Sequence, residues 1–192
     1  MNPFDLPVLH FLNHFAGHHP VVDLVMIGFA RYSPLMYALL FIIAWFAQPR
    51  GERPQRHALV VAAVAGALAL LINMVIAHFW FRPRPFAVLP HDSLTQLIPH
   101  GADASFPSDH VSGAFGFSAG CWGRADRWVS WSFTLIAVLV MVARVYTGVH
   151  WPTDVLAGLV VGIAAGRAVW LVSPLFRPLT RIGLYVTGQA VR

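Results

Sequence analysis

One stretch of this chain sets the class of fold, because residues 57–81 contain no Asp, Glu, Lys or Arg. A helix needs roughly 20 mainly apolar residues to cross the ~30 Å hydrocarbon core of a bilayer, and this run is long enough. Hydrophobic residues make up 57% of the 192 residues and charged residues only 11%, against about 25% charged in an average soluble domain. The mean hydropathy is +0.64. We therefore expect an integral membrane protein.

The apolar runs predict an all-α fold, a polytopic transmembrane bundle of five to six helices that forms a single domain over residues 1–192. Residues 1–17 are expected to form an interfacial amphipathic helix, and residues 174–192 a cytoplasmic tail. Residues 20–30, which precede Pro34, are expected to form a short entry helix or a sixth span. The spans are predicted at 30–48, 57–81, 108–123, 128–146 and 152–173.

Basic residues predict the orientation of the bundle. The chain has no lysine, so its 13 basic residues are all arginines. They are scattered over short loops, which argues against nucleic acid as a partner. The loop 49–56, the turn 124–127 and the predicted tail lie on one side if the spans alternate, and the positive-inside rule assigns that side to the cytoplasm. The opposite ends of the spans then face outward.

Three polar segments meet at this outer end: FRPRPF at 81–86, FPSDH at 106–110 and ARVYTGVHWPTD at 143–154. Ionisable groups at membrane depth are costly and by default indicate function. The polar residues expected to share one pocket are Arg82, Arg84, Ser108, Asp109, His110, Arg144, His150 and Asp154.

The residue types in this pocket suit a phosphate group. Guanidinium groups bind phosphate oxygens in bidentate fashion, and Arg84 and Arg144 are candidates for that role. Ser108 is expected to be the N-cap of the following helix, whose free N–H groups would then face the pocket.

Two histidines have the spacing for phosphoryl transfer. His150 and Asp154 are four residues apart, so the carboxylate can hold one ring nitrogen and leave the other as a nucleophile or base. His110 comes from a different segment and is a candidate proton donor to the leaving group. Such a site requires no metal and no other cofactor.

A metal site is the competing interpretation of the same residues. His150 and Asp154 have ligand spacing, and His78, His91 and His100 are close in sequence to the polar segments. Arginines in the pocket would repel a cation, however, and the single cysteine, Cys121, excludes a multi-cysteine site. We therefore expect no bound metal.

The three segments resemble the signature motifs of the type 2 phosphatidic acid phosphatase (PAP2) superfamily, in outline K-x6-R-P, P-S-G-H and S-R-x5-H-x3-D. The matching residues are Arg84-Pro85, then Pro107-Ser108-Asp109-His110, then Arg144, His150 and Asp154.

Three positions depart from the motifs. Ala77 stands in place of the lysine, Asp109 in place of the glycine and Ala143 in place of the first serine. Arg82 is a candidate to replace the charge of the lysine. The resemblance covers about residues 57–170 and implies a helical PAP2/haloperoxidase-like core.

The stretch LIPHGADASFPSDHVSGA is similar to the BcrC-type undecaprenyl-diphosphate phosphatases of bacteria, which are linked to bacitracin resistance and likewise carry PSDH. This resemblance implies removal of the terminal phosphate of undecaprenyl diphosphate at the outer face of the bacterial plasma (inner) membrane, which recycles the lipid carrier of peptidoglycan synthesis. The expected partners are this substrate and membrane lipids, and the sequence leaves protein partners open. The resemblance implies that His150 is the nucleophile that forms a phosphohistidine and that Asp154 orients it. It also implies that His110 is the proton donor. The implied phosphate-binding residues are Arg84, Ser108 and Arg144.

Two other functions stay open at this point. One is the same chemistry on phosphatidylglycerophosphate or phosphatidate. The other is a non-catalytic membrane protein that binds anionic headgroups.

Overall fold

The computed structural model describes residues 3–51 and 53–190, and all regular structure within them is helical. Four α-helices have proline as their first residue, where the missing N–H costs nothing. The all-α prediction is confirmed. The helices are α1 (Asp5–Asn13), α2 (Pro20–Phe46), α3 (Pro54–Phe79), α4 (Pro85–Val88), α5 (Asp109–Cys121), α6 (Arg127–Tyr146), α7 (Pro152–Leu171) and α8 (Arg177–Val186), with 3₁₀ turns at His91–Ser93 and Ser173–Phe176.

Four of the described helices, α2, α3, α6 and α7, are long and apolar enough to cross a membrane. The predicted count of five to six spans is therefore too high. The predicted span 108–123 corresponds to α5, which has 13 residues. At 1.5 Å per residue α5 rises about 20 Å, well short of the ~30 Å hydrocarbon core.

The predicted entry helix and first span form one continuous helix, α2, which continues through Pro34. A proline lacks an N–H and leaves the carbonyl four residues earlier without its helical partner. That carbonyl belongs to Ala30, and Nη1 of Arg144 on α6 donates to it at 2.9 Å. The helix passes the proline because a buried arginine replaces the missing donor.

The short helix α5 lies in the centre of the bundle, packed between α3, α6 and α7. Its neighbours approach closely because small residues face each other. A Cβ atom added at Gly162 of α7 would lie 2.5 Å from the carbonyl oxygen of Ser112, and one at Gly166 would lie 2.5 Å from Cβ of Ala119. The apolar, glycine-containing sequence of α5 is therefore explained by its burial among the other helices and not by contact with lipid.

One end of the bundle is rich in arginine. Arg53, Arg124, Arg177 and Arg181 line a cavity of about 540 Å³ there. Arg56 is fully buried at the same end and donates to the carbonyl of Trp45 in the last turn of α2 and to carbonyls of the α2–α3 connection. The loops predicted to be cytoplasmic therefore meet at one end, and the polar segments lie at the other.

Helix α1 packs over the end that carries the polar segments. Its buried side chains are Asp5, Leu9 and Asn13, so two of the three are polar. Asn13 Nδ2 donates to the carbonyls of Thr95 and Tyr146, both at 2.8 Å, and its Oδ1 accepts from the Thr95 N–H at 2.8 Å. This amide joins the long connection before α5 to the end of α6. The first two residues of the predicted interfacial helix and the last two of the predicted tail lie outside the described residues.

Candidate active site

The three polar segments lie together under α1, each carried by the end of a helix. Arg84 precedes α4, Ser108 occupies the N-cap of α5, and Arg144 belongs to the last turn of α6. His150 and Asp154 lie on either side of the start of α7. Of the six predicted site residues, His110 is half-buried, and the buried ones are Arg84, Ser108, Arg144, His150 and Asp154.

Asp154 holds His150 in a defined orientation. Its Oδ2 lies 3.4 Å from Nδ1 of His150, accepts from the Trp151 N–H at 2.9 Å and accepts from the hydroxyl of Ser105. A carboxylate oxygen can only accept, so Nδ1 carries the proton and Nε2 has the free lone pair. The contact forms at the helix start, since His150 precedes α7 and Asp154 is the third residue of that helix.

Arg84 lies beside the free nitrogen of His150. Its Nη1 is 3.1 Å from Nε2 of His150 and donates to the carbonyl of Val149 at 2.9 Å. A guanidinium group has no acceptor, which again requires the lone pair on Nε2. The other two nitrogens donate to Asp103, at 2.7 Å, and to the carbonyl of Ala104, at 3.3 Å.

Two of the predicted site residues carry buried polar atoms that have no hydrogen-bond partner in the described part of the chain. These atoms are Oγ of Ser108 and Nε and Nη2 of Arg144. An unpaired buried donor costs about 1–3 kcal/mol, so such atoms need an explanation, and a missing ligand supplies one. Nε and Nη2 are two donors of one planar fork, which matches two oxygens of a phosphate. Ser108 is at the predicted N-cap, but its hydroxyl makes no cap bond and is available to a ligand.

Asp109, the acid that stands beside this pocket, has a donor of its own on α3. Nδ2 of the buried Asn73 donates to Oδ1 of Asp109 at 2.8 Å and to Oγ of Ser112 at 2.9 Å. This contact stabilises a carboxylate next to Ser108.

His110 lies where the polar site meets an apolar cleft of about 660 Å³ between α2, α3 and α5. The lining away from His110 and Asp109 is dominated by hydrophobic side chains, among them Tyr37, Phe41, Leu70 and Phe117.

The charges around the site favour an anionic ligand. Burial, followed by the positive charges of Arg144 and Arg84, lowers the pKa of His150 well below its ordinary value, so the ring is neutral and can act as a nucleophile. Burial acts to raise the pKa of Asp103, but its hydrogen bond to Arg84 and the arginine charge outweigh burial and lower that pKa. Asp103 therefore stays an ionised partner of Arg84.

Four polar residues in or around the polar segments take parts that the sequence did not predict: Asp5, Asn73, Arg82 and Ser105. Arg82 donates from Nη1 to Oδ1 of Asp154 at 2.7 Å and from Nη2 to Oδ2 of Asp5 at 2.6 Å. Its charge is thus shared between two carboxylates, so it does not replace the motif lysine as a free cation. Asn73 could have been found from the sequence as a lone amide inside a long apolar run.

The metal interpretation gains no support from the described side chains, which do not include that of His91. Among residues 3–51 and 53–190, no three His, Cys, Asp or Glu side chains are placed to hold a metal ion. Both ring nitrogens of His150 already face protein groups, Nδ1 the carboxylate of Asp154 and Nε2 the guanidinium of Arg84.

Comparison with known proteins identifies the family of the chain. Residues 57–178 match the model of the PAP2 superfamily. The chain is 35% identical to undecaprenyl-diphosphatase BcrC of Bacillus subtilis over 93% of its own length and 87% of that protein. It is 34% identical to the putative undecaprenyl-diphosphatase YbjG of Escherichia coli, over 86% and 82% of the two chains.

Solved structures show the same fold. The crystal structure of Aquifex aeolicus LpxE superimposes with a TM-score of 0.71 at 25% identity, covering 88% of this chain and 96% of that one. A transmembrane PAP2-type phosphatidylglycerolphosphate phosphatase from Bacillus subtilis gives a TM-score of 0.59 at 24% identity, covering 85% and 83% of the two chains. The resemblance expected from the three motifs is confirmed, and the chain belongs to the PAP2 superfamily as a multi-pass membrane phosphatase.

Proposed function

We propose that the protein hydrolyses undecaprenyl diphosphate to undecaprenyl phosphate and inorganic phosphate. The observation that carries the proposal is a set of buried donors on Ser108 and Arg144 that have no partner among the described residues, close to a histidine whose Nδ1 faces Asp154 and whose unprotonated Nε2 faces Arg84. The similarity to two proteins named as diphosphatases of this lipid, over most of the chain, supports the choice of substrate.

The terminal phosphate binds to groups that are already in place. Nε and Nη2 of Arg144 donate to two of its oxygens, and the Ser108 hydroxyl donates to a third. The first N–H groups of α5 add the positive end of the helix dipole. Arg84, beside Nε2 of His150, stabilises the charge that spreads over the phosphoryl oxygens in the transition state.

His150 then takes the phosphoryl group. Its Nε2 attacks the terminal phosphorus in line, the N–P bond forms, and the bond from phosphorus to the bridging oxygen breaks. Burial, followed by the charge of Arg144, lowers the pKa of His110 to about 3 in the absence of substrate. The bound anionic diphosphate offsets these effects, so His110 takes up a proton on binding and gives it to the departing lipid phosphate. In the second step His110 removes a proton from water, the water oxygen attacks phosphorus, and the N–P bond breaks to release phosphate. Asp154 holds the Nδ1 proton throughout.

The apolar cleft next to His110 supports a lipid substrate. It begins at the polar site and is lined mainly by hydrophobic side chains of α2, α3 and α5. A prenyl chain that enters this cleft gains the hydrophobic contacts of a lipid tail while its diphosphate reaches the arginines. A soluble phosphate ester gains nothing from the cleft.

The arginine-rich end of the bundle supports the proposed orientation. Under the positive-inside rule that end faces the cytoplasm, so the site faces the outer side of the bacterial plasma membrane. There the reaction would recycle the lipid carrier of cell-wall synthesis.

The test is phosphate release by the purified protein in detergent with EDTA present. We expect the rate on undecaprenyl diphosphate to exceed the rates on phosphatidylglycerophosphate and phosphatidate, and His150→Ala to abolish all three. His19→Ala, which changes an exposed histidine on the connection between α1 and α2, is the matched control and should keep full activity. A faster rate on either phospholipid would overturn the assignment of undecaprenyl diphosphate as the substrate. A requirement for a metal ion would overturn the proposed mechanism.

A further inference from the structure

A second carboxylate is buried behind the catalytic pair. Asp5, in the first turn of α1, is fully buried. Its Oδ2 accepts from Nη2 of Arg82 at 2.6 Å and from Oγ1 of Thr153 at 2.8 Å, and its Oδ1 accepts from the Thr153 N–H at 2.8 Å. An ion buried to this degree is unfavourable unless it is fully paired, and Asp5 is bound at both oxygens.

Arg82 connects this carboxylate to Asp154. Its Nη1 donates to Oδ1 of Asp154 at 2.7 Å and to Oγ1 of Thr153 at 2.6 Å, while Nη2 is held by Asp5. The guanidinium lies over the Trp151 ring, 5.3 Å from its centroid. One cation thus bridges two buried carboxylates and is fixed in position.

The bridge acts on the oxygen of Asp154 that does not face His150. Oδ1 of Asp154 is held by Arg82, and Oδ2 lies toward Nδ1 of His150. A carboxylate held at both oxygens cannot rotate, so the direction of the acceptor for His150 depends on Arg82, and the position of Arg82 depends on Asp5.

We propose that Asp5 and Arg82 are positioning residues for the His150–Asp154 pair, so that α1 is a working part of the active site. The inference rests on the proposed function in one respect, that His150 is the nucleophile. Neither residue contacts the phosphate-binding donors of Arg144 and Ser108, so their loss should lower kcat and leave KM nearly unchanged.

Simple docking of α1 is the alternative, and Asn13 serves to test it. Asn13 lies on the same face of α1 and makes three hydrogen bonds to the backbone of Thr95 and Tyr146, none of them to the catalytic pair. Asn13→Ala therefore weakens the attachment of the helix without touching Asp5 or Arg82. Asp92→Asn, at an exposed carboxylate on the 3₁₀ turn of the α4–α5 connection, controls for loss of negative charge.

The experiment measures kcat and KM for phosphate release from undecaprenyl diphosphate and from p-nitrophenyl phosphate, together with thermal unfolding in detergent. Groups that orient metal-ligating histidines typically affect metal affinity or activity about 10–100-fold, and we take the same range for groups that orient Asp154. We expect Asp5→Asn to lower kcat by about that factor with KM within about twofold. Arg82→Lys should be intermediate, and Asp92→Asn should match the wild type.

A double variant provides the sharpest readout. Arg82→Gln leaves two buried carboxylates without their shared cation, which is costly because like charges repel. Adding Asp5→Asn removes that repulsion, so the double variant should have a higher kcat than Arg82→Gln alone. If Asp5 only docked α1, adding Asp5→Asn to Arg82→Gln would lower kcat further. Should Arg82→Gln fail to fold, Asp5→Asn and Arg82→Lys decide the question.

Wild-type kcat in Asp5→Asn would overturn the inference, as would an equal loss of kcat at unchanged KM in Asn13→Ala. Failure of the proposed function is distinguishable, because it appears in the wild type as absent hydrolysis of undecaprenyl diphosphate. The ratio of variant to wild-type kcat on p-nitrophenyl phosphate tests the positioning role independently of the lipid.

Discussion

Arg144 has two roles that a pair of substitutions can separate. Its Nη1 completes α2 by donating to the carbonyl of Ala30, and its Nε and Nη2 have no hydrogen-bond partner among the described residues. Arg144→Gln removes the charge and the planar fork. We expect it to lose both substrate turnover and stability, for different physical reasons.

The size of each loss follows from the contacts. A hydrogen bond to a charged group is worth about 1.5–3 kcal/mol, so two such bonds to the phosphoryl oxygens contribute about 3–6 kcal/mol to the transition state. At about 1.4 kcal/mol per factor of ten, kcat/KM should fall by roughly 10²–10⁴-fold. The orphaned carbonyl of Ala30 costs a further ~1–3 kcal/mol of folding stability.

Pro34→Ala restores the helical N–H that the proline lacks and gives the carbonyl of Ala30 its usual partner. In the Arg144→Gln background this change should recover much of the lost thermal stability and none of the lost kcat/KM. The assay is phosphate release from undecaprenyl diphosphate with thermal unfolding of the same samples, and Arg31→Gln, at an exposed position on α2, is the control. If Arg144→Gln kept more than about a tenth of wild-type kcat/KM, the bidentate assignment would be refuted.

Three further changes test separate parts of the site and the bundle. His110→Ala should reduce diphosphate hydrolysis less than His150→Ala does, because a lipid phosphate leaves without protonation more readily than an alkoxide; equal losses in steady-state rates would contradict this. Asp103→Asn should lower KM, because the exposed carboxylate of Asp103 competes with the phosphate for Arg84. An exposed ion pair contributes under ~1 kcal/mol, so the decrease in KM should be about two- to fivefold. That competition requires the ionised acid, so the difference in KM is present at neutral pH and should fade as the pH falls through the lowered pKa of Asp103; a pH-independent difference would count against it. Gly162→Ala should lower the stability by about 1–3 kcal/mol through overpacking against the carbonyl 2.5 Å away on α5, and an unchanged melting temperature would show that the helices can separate without cost.

Some of the fold was predictable because hydrophobicity is a local property of the chain. The apolar run 57–81 became the membrane-length helix α3, and the motif histidines, arginines and Asp154 fell at helix ends that meet. The span at 108–123 was wrong because an apolar segment that faces other helices has the same composition as one that faces lipid. Only the packing of α3, α6 and α7 around α5 distinguishes the two cases.

The division expected between an entry helix at 20–30 and a span at 30–48 was wrong for a related reason. Local rules correctly identify a lost hydrogen bond at proline, but the replacement donor comes from Arg144, 114 positions away from Ala30. A long-range partner of this kind leaves no periodic signal in the sequence.

The sequence by itself determined the class of the protein, the three motifs and the residues expected to bind and attack a phosphate, because these depend on residue type and on short spacings. Tertiary structure alone decided which of these groups have partners. Arg82 bridges Asp5 and Asp154, and Asp5 contacts Thr153, which lies 148 positions away in the sequence. The hydroxyl of Ser108 and two guanidinium nitrogens of Arg144 have no partner in the described part of the chain. The physical reason is that buried polar groups must be satisfied, and which donor satisfies which acceptor is settled by how the helices pack.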